Sequence, residues 1–482
     1  GKYINQKHLV DLIIKESPDQ NQILEEWGHI YLRNRNNPNE KELVKPGGHS
    51  RARTLKSHNR GISFSNTLRH KFLSMDINLK EEVLACKIIV RSNKVCGLLC
   101  YDWVNNEWFG INTNTIILAC GGAGMIYYPH SDNMRSSTGD GYALGLMAGA
   151  KLIDMEQIQF IPFGVVYPKG MQGLELGDTS AAGPYGKLLN KNGEIVEHNP
   201  FNKTREYVSR LIAIEVAKGN GSPNGGLWLD PTENRKHEEG EIHWQHWKSI
   251  GTTETIKNAY GYKASQWKEK FEVCPTQHYC MGGIYVNEFG ETNVSGLYAV
   301  GENAGGFHGA GRIGSMSLFE SLTFGSVIGK KLKVKNNRVK LDQHDYFKEM
   351  QEFTHYFQGT LDDHPIRIKK EIGQLMWDSC GIIRTEEKLL SLVQSLDEIE
   401  KKVKSLTIQF QKNNDYFLQL FELFSMVLTS KAVALSALER RESRGSHYRS
   451  DFPMELSMWK KKNIIVSKCK HDLAVKVGKL HE

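Results

Sequence analysis

GLYAVGENAGGFHGAGRIGSMSLFESLTFG, residues 296–325, passes through three kinds of text in one run. Gly296 to Val300 reads as a short buried strand, and Gly301 to Gly311 is a glycine-rich loop. From Ser315 onward Leu318, Phe319 and Leu322 recur at helical spacing, while Gly325 and Gly329 permit close packing. A strand, a glycine loop and a helix start together present unpaired backbone N–H groups and a partial positive charge to an anion. Arg312 stands just ahead of that helix start. Spacing alone is equally consistent with an ordinary tight turn in an α/β protein.

Upstream a second segment has the same grammar. Short β runs between Val83 and Ile117, broken by Ser-Asn-Lys and Asn-Asn turns, read as a meander feeding one buried strand, Thr115 to Ala119. That strand ends in CGGAGMIY, residues 120–127, where Gly121, Gly122 and Gly124 let backbone approach a ligand closely. STGDGYALGLMAGA, residues 137–150, then starts a helix at Asp140 and Gly141. Taken alone, Asp140 is a helix cap.

The remaining chain sorts by periodicity. Leu9, Leu12, Ile13, Leu24 and Trp27 suggest amphipathic helices, and GGHSRART (47–54) a polar glycine loop. Residues 157–275 are rich in Gly, Pro, Asn and Trp, and their strands are hard to read. Leu389, Leu392, Leu396, Ile399, Val403 and Leu406 form one apolar seam, and Phe417 to Leu438 a fatter apolar helix paired with it through a loop at Asn413-Asn414.

The 482 residues allow two or three domains, with 39% hydrophobic and 24% charged residues as in a globular protein. No apolar run approaches the ~20 residues needed to cross a membrane. The net charge of +7 is spread out, with local clusters at Lys460–Lys462 and Lys468–Lys470; it reads as a solvated face and not as a nucleic-acid site. None of the eight cysteines forms a C-x-x-C pair, so no zinc or iron–sulfur site is expected; several lie in apolar strands, as reduced thiols of a cytoplasmic protein do.

GLYAVGE, HGAGRIG and SMSLFESLTFG, with CGGAG, TGDG, PTQHYCMGGI (275–284), KTREYVSR (203–210) and ERRESRGSHYRSDFP (439–453), closely resemble the flavoprotein subunits of succinate dehydrogenases and fumarate reductases. The resemblance implies an α/β, Rossmann-like FAD-binding domain with an inserted capping domain, followed by a helical domain. It divides the chain into a first FAD part (1–156), a cap (157–275), a second FAD part (276–330), a helical domain (331–455) and a C-terminal tail (456–482). The family opens with strand, G-x-G-x-x-G and helix; nothing before Gly47 resembles that unit, which implies that a longer polypeptide precedes Gly1.

For FAD, the resemblance implies contacts from Gly121, Gly122, Gly124, Asp140, Gly141, Gly301, Glu302, His308, Ser317 and Leu318. For catalysis it implies that Arg312 and His278 grip a substrate carboxylate and that Arg205 donates a proton. A guanidinium holds its proton above pH ~12, so that role needs a relay. The family's relay motif R-G-E-G-G reads AGPYG here (182–186), leaving Asp178 as the replacement carboxylate. The family's Asn before the arginine is Gly311, and its Q-F-H-P-T reads QFIPF, with Ile161 and Phe163 where two polar ligands stood. That change implies a pocket with an apolar end and a substrate with one carboxylate, so that fumarate itself reacts poorly.

The expected function is thus reduction of an α,β-unsaturated carboxylic acid, or its reverse, in anaerobic electron transport. An iron–sulfur or other electron-transfer partner would supply electrons, and the location would be cytoplasmic, peripheral to a membrane through that partner. No metal and no nucleic acid are expected. The alternatives are a flavoenzyme of the aspartate oxidase or adenylylsulfate reductase kind and a non-catalytic flavin electron-transfer protein.

Overall fold

The computed structural model describes all residues except 35, 47–48, 333–339, 358, 360–362, 409–414, 470–471 and 479–482. Gly47, Gly48, Lys470 and the Asn413-Asn414 loop therefore lie outside the described residues. The chain opens with one helix, Lys7–Glu26, which buries Leu9, Ile13 and Leu24. The meander is present as three antiparallel strands, Val83–Arg91, Lys94–Asp102 and Glu107–Asn112. Its turns place Ser92, Asn93 and Asn106 at positive φ, the left-handed conformation that Asn tolerates best among larger residues.

Strand β1 (Ile116–Leu118) leads through the CGGAG loop to helix α1 (Asp140–Met147). Strands β2 (Ile158–Gly164) and β3 (Glu175–Gly177), helix α2 (Arg205–Ala217) and strand β4 (Phe271–Cys280) belong to the inserted region, whose six-stranded sheet runs through β3, β2 and β4. The cap has its own core, containing Phe163, Leu176, Val208, Trp244, Trp247 and Trp267. The larger core runs without interruption from the meander to the helical domain.

Strand β5 (Leu297–Ala299) pairs in parallel with β1, in the register Leu297 to Ile116 and Ala299 to Leu118. Both strands end on the same side of the sheet in glycine-rich turns. Such a shared carboxyl end is where open α/β sheets take their ligands. Helix α3 (Met316–Lys331) follows the β5 loop, as the periodicity predicts.

Helices α4 (Glu386–Lys404) and α5 (Asp415–Glu439) pack together, and all six residues of the expected seam are buried. Helix α5 is long and apolar enough to cross a membrane by length and composition, which revises the expectation that no such run exists. Most of that window, 83%, is buried inside the protein, as in the core helix of a bundle. The last segment is not a tail. Strands β6 (Asn463–Cys469) and β7 (Asp472–Gly478) form a hairpin, and β6 pairs with Leu152–Ile153. Ile464 and Val466, alternate residues of β6, enter the core and hold it there.

Candidate active site

The two turns after β1 and β5 are stitched to each other. Asn303 accepts the Cys120 N–H at 2.5 Å and donates to the Gly121 carbonyl at 2.8 Å. Tyr142 of α1 donates to the Glu302 carbonyl at 2.6 Å. Gly122 is required by this closeness, since a Cβ there would fall 2.2 Å from Glu302 Oε1; one at Gly141 would fall 2.3 Å from Asn303 Nδ2. Gly121 and Gly301 take positive φ at the two turns, and Gly124 opens a short 3-10 turn against Asn133.

The Glu302 carboxylate accepts the Cys280 N–H at 2.8 Å. Burial pushes its pKa up to about 7, against the opposing pull of that N–H, His278 and Arg312. Helix α3 begins beside this turn: a Cβ at Gly301 would lie 3.1 Å from Ser321 Oγ, which itself donates to the Ser317 carbonyl. No side chain caps α3, so the N–H groups around Ser317 and the exposed Leu318 are not taken up by a cap. Two glycine turns, a protonatable carboxyl and an uncapped helix start make a cradle for a polar, phosphate-bearing cofactor.

Two expected cofactor residues are differently engaged. Asp140 accepts from Thr138 at 2.9 Å and faces Ser425 of α5, so its carboxylate is turned to the helical domain. Burial there pushes its pKa up to about 6, with Ser425 and Thr138 opposing. His308 is buried, with Nε2 3.5 Å from Glu320 and its ring edge-on to Tyr279. It supports the start of α3 from inside.

Beside the cradle, Gln159 of β2 joins two arginines. Its Nε2 donates to the Arg312 carbonyl at 2.9 Å, and its Oε1 faces Arg205 Nη1 at 3.5 Å. Arg205 stands at the first position of α2, behind the Thr204 cap, and donates to Asp178 Oδ2 at 2.8 Å. Ser180 holds the other Asp178 oxygen through its hydroxyl and its N–H. Burial pushes the Asp178 carboxyl up, but Arg205 and Ser180 outweigh it and hold the pKa below the usual carboxylate value.

Arg312 is only 7% exposed. Its guanidinium lies 4.8 Å from the Tyr279 ring centre and donates to the Ile313 carbonyl at 3.3 Å. Among the described residues no carboxylate is within ion-pair distance of it, and its Nε is buried without a partner. Burial first, then the neighbouring Arg205, lowers its pKa to about 10.

His278 completes the group. Its Nδ1 lies 2.7 Å from Asp132 Oδ2, and since a carboxylate only accepts, Nδ1 carries the hydrogen. Asn133 donates to the other Asp132 oxygen and to the His278 carbonyl. Gln277 and His130–Asp132 exchange backbone bonds, so a bracket fixes Asp132 against the histidine. Sequence reasoning missed Asp132; the only signal is a polar S-D-N between two glycine motifs. A cavity of about 420 Å³ opens here, lined by Asp132, Asn133, Leu174, Glu175, Thr255 and His278.

Neither residue expected at the apolar end of the substrate pocket lines this cavity. Ile161 is 1% and Phe163 0% exposed, and Phe163 is packed into the capping core. Strand β2 is buried along its whole length, on both faces, and register shifts at Phe163/Gly164 and Cys274/Thr276 interrupt its pairing. The open space beside His278 is mostly polar, with Asp132 and Glu175 on its wall.

Comparison with known proteins gives the family of the chain. A family model described as FAD binding domain matches residues 1–318, and one described as fumarate reductase flavoprotein C-term matches residues 369–480. A fumarate reductase (CoM/CoB) polypeptide of Methanothermobacter marburgensis is 32% identical, over 96% of this chain and 83% of its own length. L-aspartate oxidase of Bacillus subtilis is 30% identical, over 83% of this chain and 69% of its own. A chain of E. coli quinol fumarate reductase superposes with a TM-score of 0.86 at 26% identity, covering 100% of this chain and 85% of that one.

Proposed function

The chain belongs to the family of fumarate reductase and succinate dehydrogenase flavoproteins, FAD-dependent oxidoreductases, and from that premise we propose that it reduces an α,β-unsaturated carboxylate held by Arg312. The observation that carries this reading is the buried Arg312, without a carboxylate partner among the described residues and joined through Gln159 to the Arg205–Asp178 pair. Glu302, the Cys120–Gly124 loop and the first turn of α3 would hold FAD, whose chemistry when bound is to supply the hydride.

Arg312 offers a planar fork to the carboxylate in a nearly dry site, where its charge is worth more than in water. His278, oriented by Asp132, presents its Nε2 to the same carboxylate. Arg205 delivers the proton to the alkene carbon next to the one that takes the hydride, so two electrons and two hydrogens are added in all. Asp178, in contact with Arg205, is the group through which that proton is replaced. The reverse sequence oxidises the saturated acid.

Electrons would come from an iron–sulfur or other electron-transfer partner, since the eight cysteines here are unpaired and scattered. Such a partner would also set any peripheral attachment to a membrane.

The test is turnover of crotonate, cinnamate and fumarate with reduced viologen as donor, with Arg312→Ala and Arg205→Ala compared with the parent. Losing a charged hydrogen bond costs ~1.5–3 kcal/mol, so Arg312→Ala should raise KM and lower kcat/KM by roughly ten- to a hundredfold. Arg205→Ala should lower kcat with little change in KM. Parental kinetics in either variant would refute the assignment.

A further inference from the structure

We propose that the cavity between α1, α5 and the C-terminal hairpin binds a small amphipathic anion, a carboxylate with an apolar body of about six carbons, its charge set at Lys468. This site is separate from the cleft of Arg205, His278 and Arg312, none of which lines it.

The cavity measures about 170 Å³. An apolar cavity of about 150 Å³ holds a six-carbon ring. Leu146 and Met147 from the end of α1, Phe424 and Leu428 from α5, Phe353 from the helix Gln343–His355 and Leu473 from β7 make its apolar wall. Leu146, Phe353 and Phe424 are buried, so a ligand body seated against them leaves water on several sides.

The polar part of the lining is three lysines and three carboxylates, and the carboxylates are taken. Glu400 lies 2.6 Å from Lys404 and 2.7 Å from Lys431, Asp472 is 3.4 Å from Lys431, and Glu352 is 3.3 Å from Lys87. Lys87 and Lys431 also hold Glu349 and Asp397. Lys468 alone of the three lysines has no ion-pair partner among the described residues. Desolvation first, then Lys87 and Lys404, lower its pKa from the usual lysine value, with Glu400 opposing. A ligand anion there relieves this crowding of like charge, whereas a ligand cation adds to it. One unmatched ammonium beside an apolar wall is the pattern of a site for a ligand with an apolar body and one anionic end.

The experiment titrates the FAD-loaded, full-length protein calorimetrically with hexanoate, butyrate, hexanol and hexylammonium at neutral pH. Hexanoate should bind about fivefold more tightly than hexanol, the worth of a solvent-exposed ion pair. It should bind roughly tenfold more tightly than butyrate, which lacks two methylenes, and hexylammonium should bind most weakly. Lys468→Gln should abolish the advantage of hexanoate over hexanol and leave hexanol unchanged. Leu473→Trp, which puts an indole into the cavity from the hairpin, should weaken both. Should that variant fail to fold, Lys468→Gln, at an exposed position, still decides.

Because hexanoate is a carboxylate, the same titration is made in Arg312→Ala, where the catalytic cleft has lost its anchor; binding should persist there. Loss of hexanoate binding in Arg312→Ala would place the anion in the cleft and overturn the inference. So would hexanol or hexylammonium binding as tightly as hexanoate, an unchanged order in Lys468→Gln, or no binding of hexanoate at millimolar concentration.

Discussion

Arg205 and Arg312 lie in one cleft in opposite surroundings: the first is matched to a carboxylate at 2.8 Å, the second faces burial, another cation and the π face of Tyr279. The matched arginine is suited to exchanging a proton with its partner, and the unmatched one to binding an anion. Asp132 acts on the third basic residue. It fixes the His278 tautomer and ring plane, as a positioning residue does for a ligand-binding imidazole. Asp132→Asn should raise KM for the unsaturated acid by roughly tenfold or more, the worth of a charged hydrogen bond, with a smaller effect on kcat. Asp132→Glu should recover part of the loss. Equal KM in Asn and parent proteins would mean that His278 needs no such support.

The segment after α5, which resembles the family's helical-domain signature, acts as an element by burying arginines. Arg440 bonds Glu156 at 2.5 Å and Asp154 at 3.0 Å, Arg444 bonds Glu442, and Arg449 bonds Asp451. Arg384 donates to the Glu156 carbonyl and faces His447 Nδ1 at 2.7 Å. Asp154 and Glu156 follow the strand Leu152–Ile153, so this lattice clamps the helical domain to the FAD-binding sheet. Removing one member of a buried charged pair costs ~3–5 kcal/mol because its partners stay buried. Arg440→Ala should therefore lose about that much stability, read from the denaturation midpoint; a loss near zero would mean the carboxyls are reached by water. His447 sits in the same lattice with its pKa well below 6.5, depressed by burial first and then by Arg384 and Arg440. Its contribution is complete above pH ~6.5 and is lost as pH falls, so acid titration of stability should steepen there in the parent and flatten in His447→Gln.

Across the whole molecule, two cores meet on two strands. Phe160 and Cys280 enter the larger core while Phe163, Phe271 and Val273 enter the capping core, so β2 and β4 run from one to the other. His278 lies on β4 between its two core ends, and Gln159 on β2 just before the change. The cofactor cradle, by contrast, is built on the larger core alone. FAD should thus stabilise the folded protein by mass action, about 2.7 kcal/mol at a hundredfold excess over Kd, seen as a higher Tm. Glu302→Ala should reduce that shift at equal FAD, because the carboxylate's bond to the Cys280 N–H and a proposed cofactor contact are lost together. A Tm unmoved by FAD would rule out the cradle.

How much of this was legible follows from how far each interaction reaches along the chain. The strand–glycine–helix unit at 296–331, the meander, and helices α4 and α5 were readable because periodicity and glycine act over a few residues. The sequence by itself also determined which side chains are available: Arg205, His278, Arg312 and Glu302 lie in stretches that resemble family motifs, and Asp178 stands just before the stretch where the relay motif is replaced. It could not say that Asp132 reaches His278, which is 146 residues away, nor that the last strands return to Leu152–Ile153. Packing on both faces of β2 seals Ile161 and Phe163, and Asp140 is turned toward Ser425 of α5. Strand order, register shifts and the pairing of charges are long-range choices made by packing. They decided that Asp178 faces Arg205 and Asp132 faces His278, and left Arg312 without a carboxylate partner among the described residues.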